Sequence, residues 1–430
     1  MSRSHKNVLF AVLVGLSLPA AAPAQDKLAF VIPFLYGTRG LFVDSQNPTI
    51  HSAHFDSAFQ STFALKFNVA LGSQLASVPA PSPASGFTYE FSPTLGAFTR
   101  STQTFGPIYA DRAETIGRRK FSVGFNYQHF GFDTLEGMEL SSVPAIFSHD
   151  DDPQNRAFEG DIVSASNDLD VRVDQFTAFF TYGVTDRVDV SFIVPVVTAE
   201  LTVVSDTQIY RAPGSSAQVH FFAGSPDLST RQYVRSESAS GIGDVHIRAK
   251  GTLSKSERSG FAVGVDLRLP TGDEEDLLGT GALGLKPFFA FSRPGKKISP
   301  HVNVAYQWNG DTVLAGDVTT GDKASLPDEF LYTIGAEIQL APSFTLVFDL
   351  LGGQFVGAPR VFADTFTGPN GEQLPNIGFT EESFSVLSGA AGVKFNVRAS
   401  LLVDFNVIFK LNSGGIRDKV TPLFGFEYTF

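Results

Sequence analysis

The chain closes on 421-TPLFGFEYTF-430, with Phe424, Phe426, Tyr428 and Phe430 at every second position and Gly425, Glu427 and Thr429 between them. Side chains of a strand alternate between its two faces, so the four rings share one face and the small, acidic and hydroxyl residues share the other. Something apolar has to cover the aromatic face. In a soluble sandwich the cover is a second sheet; in an outer-membrane barrel it is lipid, with aromatic girdles at the two interfaces.

The same alternation recurs upstream. In 260-GFAVGVDLRLP-270, Phe261, Val263, Val265, Leu267 and Leu269 oppose Ala262, Gly264, Asp266 and Arg268. In 244-DVHIRAKGTL-253, Val245, Ile247, Ala249, Gly251 and Leu253 oppose Asp244, His246, Arg248 and Lys250, and from Leu401 to Leu411 an apolar series opposes Asp404, Asn406 and Lys410. Such segments begin near residues 118, 172, 187, 243, 260, 282, 298, 329, 343, 384, 399 and 420. Short connections near Thr185, Lys255, Arg293, Ala341 and Asn396 alternate with long ones at 134–171, 204–242, 270–281, 310–328, 357–383 and 412–419. An even strand count with strict short-long alternation belongs to an outer-membrane barrel, its tight turns and both chain ends in the periplasm and its long loops outside. A sandwich has no reason to gather its long loops at one end. The expected fold is all-β, a transmembrane antiparallel β-barrel of about twelve strands, with fourteen as the alternative.

Composition agrees. Phe occurs 42 times, Met twice and Cys never, and 18% of residues are charged. After the first residues no apolar run approaches the length of a membrane-spanning helix, so insertion must be by strands. The formal net charge of −12 argues against nucleic-acid partners. The absence of Cys excludes disulfides and a lipoprotein anchor.

The N-terminus reads as an export signal over residues 1–24: Arg3 and Lys6, an apolar run from Val8 to Leu18, then Ala22-Pro23-Ala24, with cleavage expected after Ala24. The barrel is expected to occupy 118–430. Between them, residues 25–117 carry six prolines from Pro33 to Pro93, a Pro/Ser-rich break at VPAPSPASG and a short hairpin around Ser92 to Gly96. Every ladder bond lost to proline in hydrocarbon stays unsatisfied, so this segment is expected to plug the lumen or lie in the periplasm rather than extend the wall. The fourteen-strand alternative would pair Phe59–Leu75 with Phe87–Thr99.

No catalytic motif, metal-ligand spacing or cofactor loop is legible. His51, His54, His129, His149, His220, His246 and His301 are scattered, and the acidic stretches His149–Asn155 and Thr271–Gly281 do not match a calcium loop. A Ser/His hydrolase assembled across strands would leave no local motif, so an outer-membrane hydrolase stays an alternative, as does a structural or surface-binding barrel. Charge on the lipid face is costly whereas a watery lumen accepts it, so Asp244, Arg248, Lys250, Asp266, Arg268, Lys286 and Asp404 are read as lumen-facing candidates for cross-strand pairing or ligand contact. The expected partners are outer-membrane lipid and a small-molecule substrate.

240-SGIGDVHIRAKGTL-253 and 269-LPTGDEEDLLGTGALGLKPFFAFS-292 resemble the Gly-Asp-Val strand and the L-P-T-G-D…L-G-T-G loop of the outer-membrane transporter family of meta-pathway phenol-degradation proteins, over about residues 170–310. The resemblance implies passage of small organic compounds, hydrophobic or aromatic ones included, through the outer membrane. Phe424, Phe426, Tyr428 and Phe430 likewise resemble the terminal signal read by barrel-assembly machinery. Long-chain fatty-acid transporters, whose N-terminal segment plugs the lumen, are a neighbouring family, but their N-terminal Asn-Pro-Ala pattern is missing.

Overall fold

The computed structural model describes residues 26–36, 39–46, 55, 58–75, 81–83, 86–92, 94–95, 97–100, 104–148, 160–256, 259–398 and 400–430. The export signal, His51, His54 and the acidic stretch 149–155 lie outside the described residues.

Twelve strands close into one antiparallel barrel: β1 Phe121–Phe132, β2 Ile162–Gly183, β3 Val188–Tyr210, β4 Val245–Lys255, β5 Gly260–Leu269, β6 Gly284–Ser292, β7 Ile298–Asn309, β8 Asp328–Ala341, β9 Phe344–Thr367, β10 Gln373–Arg398, β11 Leu401–Lys410 and β12 Val420–Thr429. Each strand pairs with its neighbour in sequence, and β12 returns to β1 from Leu423↔Gln128 to Thr429↔Ser122. Closure removes every edge that hydrocarbon would leave unpaired. Two further strands, Val143–Ser148 and Thr230–Ile242, flank only the upper parts of β2 and β3.

Most strand starts fall within a few residues of expectation, but β2 and β10 begin at Ile162 and Gln373, not near 172 and 384. Much of the expected loop sequence at 134–171, 204–242 and 357–383 is therefore strand that rises beyond the bilayer. The inner and outer faces keep their parity along β2, but their chemistry inverts. Below the inversion Phe176, Ala178, Phe180 and Tyr182 face out, while Gln175, Thr177 and Thr181 face in. Above it Asp168, Asp170 and Arg172 face out, while Leu169, Val171 and Val173 are buried. On β3 the change falls between Val196 and Thr198, and these pair with Phe176 and Asp174. Two adjacent strands thus invert at one level, which marks the outer face of the membrane.

The wall does not gain two strands. Phe59–Leu75 is helical, a π-helical turn Phe59–Ala64 running into a helix over Leu65–Leu75, because Phe59, Phe63, Phe67 and Leu71 recur every fourth residue, the period of a helix face. Tyr89–Ser92 and Ala97–Arg100 form the expected hairpin and pair with each other. No described strand before Phe121 pairs with a wall strand.

The N-terminal residues instead fill the barrel in two layers. In the outer layer, the helices Val31–Leu35 and Leu65–Leu75 pack Val31, Ile32, Leu35, Phe59, Phe63, Phe67 and Leu71 against Phe147, Val163, Leu169, Val171, Leu201 and Val203. Lys27 bonds Asp273 and Asp276 of the 270–281 loop at 2.6 and 2.5 Å, so the first described residues lie at the outer end of the lumen, not on the periplasmic side expected for both chain ends. The apolar helices require it, since the upper wall turns the larger apolar face inward. The inner layer, residues 104–118, lies near the short turns at the periplasmic end.

Candidate functional site: the occupied lumen

In the inner layer, backbone groups that have no ladder partner are met by side chains of the wall. Gly106 N–H donates to Glu337 at 2.9 Å, Tyr109 N–H to Asp349 at 3.2 Å, Asp111 N–H to Asn303 at 2.7 Å, Ala113 N–H to Ser292 at 2.8 Å and Ile116 N–H to Asp189 at 3.0 Å. In return Lys394 donates to Pro107 O at 2.7 Å, and Lys250 to Arg112 O and Glu114 O at 3.0 and 2.9 Å. Buried polar backbone must be paired, so these inward side chains act as a substitute ladder. Arg112, 1% exposed, forms a buried pair with Glu337 at 2.9 Å.

Glu337 also stands 2.7 Å from His301 Nε2, whose Nδ1 is 2.8 Å from Ser292 Oγ. Serine, histidine and carboxylate thus come together across β6, β7 and β8. All three are buried, Ser292 is occupied by the Ala113 N–H and Glu337 by Arg112, so the trio holds the inner layer in place.

The family-like motif has a different task. Asp244 accepts from the N–H groups of Gly272 and Thr280 at 3.1 and 2.8 Å and from the Thr280 hydroxyl at 2.6 Å. Thr271 donates to Gly243 O and accepts from Val245 N–H. Gly272 and Gly279 meet backbone to backbone, where a Cβ on Gly272 would lie 2.7 Å from the Gly279 Cα. The Gly-Asp-Val strand and the L-P-T-G-D…L-G-T-G loop are therefore the two halves of one loop anchor.

Between the two layers lies a cavity of about 390 Å³. Phe130, Phe132, Val173, Val197 and Phe288 contribute apolar surface; His246, Asp266, Arg268, Lys286, Gln307, Lys410 and Arg417 contribute polar groups.

The lumen-facing candidates distribute unevenly over these sites. Arg248 pairs not with its register partner Asp266 but with Asp111 of the inner layer, and it stacks 4.2 Å from the Phe288 ring centre. The Ser82 hydroxyl also donates to Asp111 at 2.6 Å. Lys250 is taken up by the inner layer. Asp266 meets His246 at 2.8 Å and Lys286 at 3.8 Å, and Arg268 meets Asn309 at 2.7 Å and Asp244 at 3.8 Å. Asp404 is buried opposite Lys394 in the register of β10 and β11.

Sequence reasoning did not single out Ser292, Glu337, Asp349 and Lys394, although inward parity on their strands was the available signal; Lys410 was placed on the polar face of its strand but not among the candidates. Arg112 and Arg417 sit on segments where no parity rule applies.

The terminal rings face outward: Phe424, Phe426, Tyr428 and Phe430 are exposed while Glu427 and Thr429 are buried. Phe430 N–H donates to Phe121 O at 2.8 Å, and Phe426 meets Phe125 at 5.0 Å across the closing seam. Apolar side chains cover the outside of the lower wall all round, from Phe192 and Phe261 to Phe348 and Phe405. This band places the barrel in the outer membrane.

Residues 152–407, more than half of the chain, match the family described as "Putative MetA-pathway of phenol degradation". The chain belongs to that family. No curated protein matches it. Among solved structures, an outer membrane channel from Pseudomonas putida F1 is similar at 12% identity and a TM-score of 0.44, over 74% of this chain and 98% of that one. The Ralstonia pickettii toluene transporter TbuX is similar at 14% identity and 0.33, over 73% and 90%. The CymD monoaromatic hydrocarbon channel is similar at 8% and 0.35, over 73% and 89%. The barrel rests on its own strand pairing, not on these likenesses.

Proposed function

We propose that the protein is an outer-membrane channel for small organic compounds, gated by its own N-terminal segment. The observation that carries this reading is the cavity of about 390 Å³ inside the lumen, lined by both rings and polar groups of the wall and, from the N-terminal segment, by Leu28 and Leu75 as well as Tyr109 and Asp111. A barrel with a merely structural role has no need of a lined cavity in its bore. The family's description makes phenolic compounds the first cargo to try. Surrounding lipid and a small-molecule substrate are the partners this role requires, and the exposed terminal rings are the feature that assembly machinery would read.

A hydrolase is the other reading, favoured by the contact of Ser292, His301 and Glu337. It is the weaker one, because Ser292 already accepts a hydrogen bond from Ala113 N–H and the trio does not line the lumen cavity.

Planar-bilayer conductance of the full chain and of a chain lacking residues 25–110 tests the channel. A small conductance that rises on deletion supports it. A deleted chain that assembles and conducts no better would rule out the N-terminal segment as the gate, and no passage in either chain would rule out the channel.

A further inference from the structure

The cations lining the cavity fall into two sets. On the β4–β6 wall each has a carboxylate: Arg248 has Asp111, Arg268 has Asp244, and Lys286 has Asp266. On the other side Lys410 donates to the Thr134 hydroxyl at 3.2 Å, and Arg417 donates to Leu387 O and Ser388 Oγ at 2.9 and 2.6 Å. Neither makes an ion pair among the described residues. The Arg417 side chain is buried and its Nε has no hydrogen-bond partner. Its neighbour Asp418 lines the same cavity and its charge acts on Arg417, while it accepts from the N–H groups of Gly131 and Val420 and from the Thr421 hydroxyl. Lys410 and Arg417 also lie side by side, because Ser388, which accepts from Arg417, is the register partner of Lys410.

One buried and one half-buried cation against the carboxylate of Asp418 leave an excess of positive charge, and a guanidinium near an ammonium suits a planar carboxylate. The same corner of the cavity supplies an apolar wall. Phe355 stacks on Phe384 with ring centres 4.7 Å apart and planes inclined by 5°, and Leu351 and Val386 complete it.

We propose that this corner binds a small organic acid, with the carboxylate on Lys410 and Arg417 and an aromatic or aliphatic body against Phe355 and Phe384. The inference deepens the channel reading and rests on it for its biological use, since it assigns the charge class of the cargo. A neutral phenol would leave the excess positive charge uncompensated.

Calorimetric titration of the purified full chain in detergent tests it, with benzoate, benzyl alcohol and benzylamine as probes. Benzoate should bind at least about tenfold more tightly than either of the others. Lys410→Gln keeps a donor for Thr134 and should remove that preference while leaving benzyl alcohol unchanged; Lys410→Arg should restore it. Lys286→Gln, on the compensated wall, should leave benzoate binding as it was. Equal binding of benzoate and benzyl alcohol, no benzoate binding, or a preference unmoved by Lys410→Gln would overturn the proposal. Because binding is read without a membrane, a chain that binds benzoate but never conducts sinks the channel alone, and one that conducts without preferring benzoate sinks this proposal alone.

Discussion

The upper and lower halves of β2 and β3 are one continuous ladder, from Ile162↔Tyr210 to Gly183↔Asp189, yet they are solvated in opposite senses. In the lower half lipid lies outside and the polar inner layer inside. In the upper half water lies outside, and an apolar face looks into the bore. Backbone pairing is indifferent to this change; the side chains are not. An apolar inner face above the membrane needs a core, and the helices Val31–Leu35 and Leu65–Leu75 supply it. The N-terminal segment is therefore two devices in series: a hydrophobic core for the part of the barrel outside the membrane, and a hydrogen-bonded filling for the part within it.

The largest effect is expected where the lower filling is held by charge. Arg112→Ala removes the guanidinium from the buried Glu337, leaving it His301 and the Gly106 N–H, a loss of up to about 3 kcal/mol in the seating of the inner layer. Protease cleavage within 104–118 and the frequency of open events in bilayers should both increase; an unchanged cleavage pattern would mean that the backbone contacts suffice without the pair. Next come substitutions that contrast the two outer faces. Phe192→Arg places charge against lipid and should cost about 2–4 kcal/mol, seen as loss of the heat-modifiable folded band. Thr202→Arg, on the same face of the same strand above the inversion, should stay within about 0.5 kcal/mol. Equal effects at the two sites would move the membrane boundary away from Val196 and Thr198.

A smaller effect concerns the upper half alone. Asp161 bonds His220 Nδ1 at 2.8 Å, Ala212 N–H at 2.7 Å and the Ser215 hydroxyl at 2.7 Å. Burial pushes its carboxyl up, but these bonds outweigh it and hold the group below the usual range. A depressed carboxylate contributes stability above the unfolded pKa of about 4 and loses it as pH falls through the folded value. Acid-active protease should therefore leave the 211–228 loop intact near neutrality and cut it progressively below about pH 4, with Asp161→Asn cut throughout. The last measurement expects nothing: a fluorophosphonate probe should not label Ser292 in the full chain, since Ala113 and Arg112 occupy the trio. Labelling would revive the hydrolase.

How much of this was legible follows from range. The terminal ladder, the inward charges of β4, β5 and β11 and the closed count of twelve were readable because strand alternation is a local property. The upper strands escaped because their alternation continues in inverted chemistry, so Asp168, Asp170 and Arg172 read as loop when they are the watery face of a strand. The helix over Leu65–Leu75 was open to a strand reading, although its fourth-residue repeat was visible.

From the sequence alone came a barrel in the outer membrane, its lipid face and the inward charges of β4, β5 and β11, since parity and hydrophobic period are carried by neighbouring residues. Which inward charge meets which partner was decided only by ring closure and by the chain threaded through it. Arg112 reaches Glu337 across 225 positions and Arg248 reaches Asp111 across 137, so no spacing could announce those pairs. The same closure determines which cations are left over: Lys286 and Lys410 are both inward lysines of wall strands, and only their neighbours in space make one compensated and the other available.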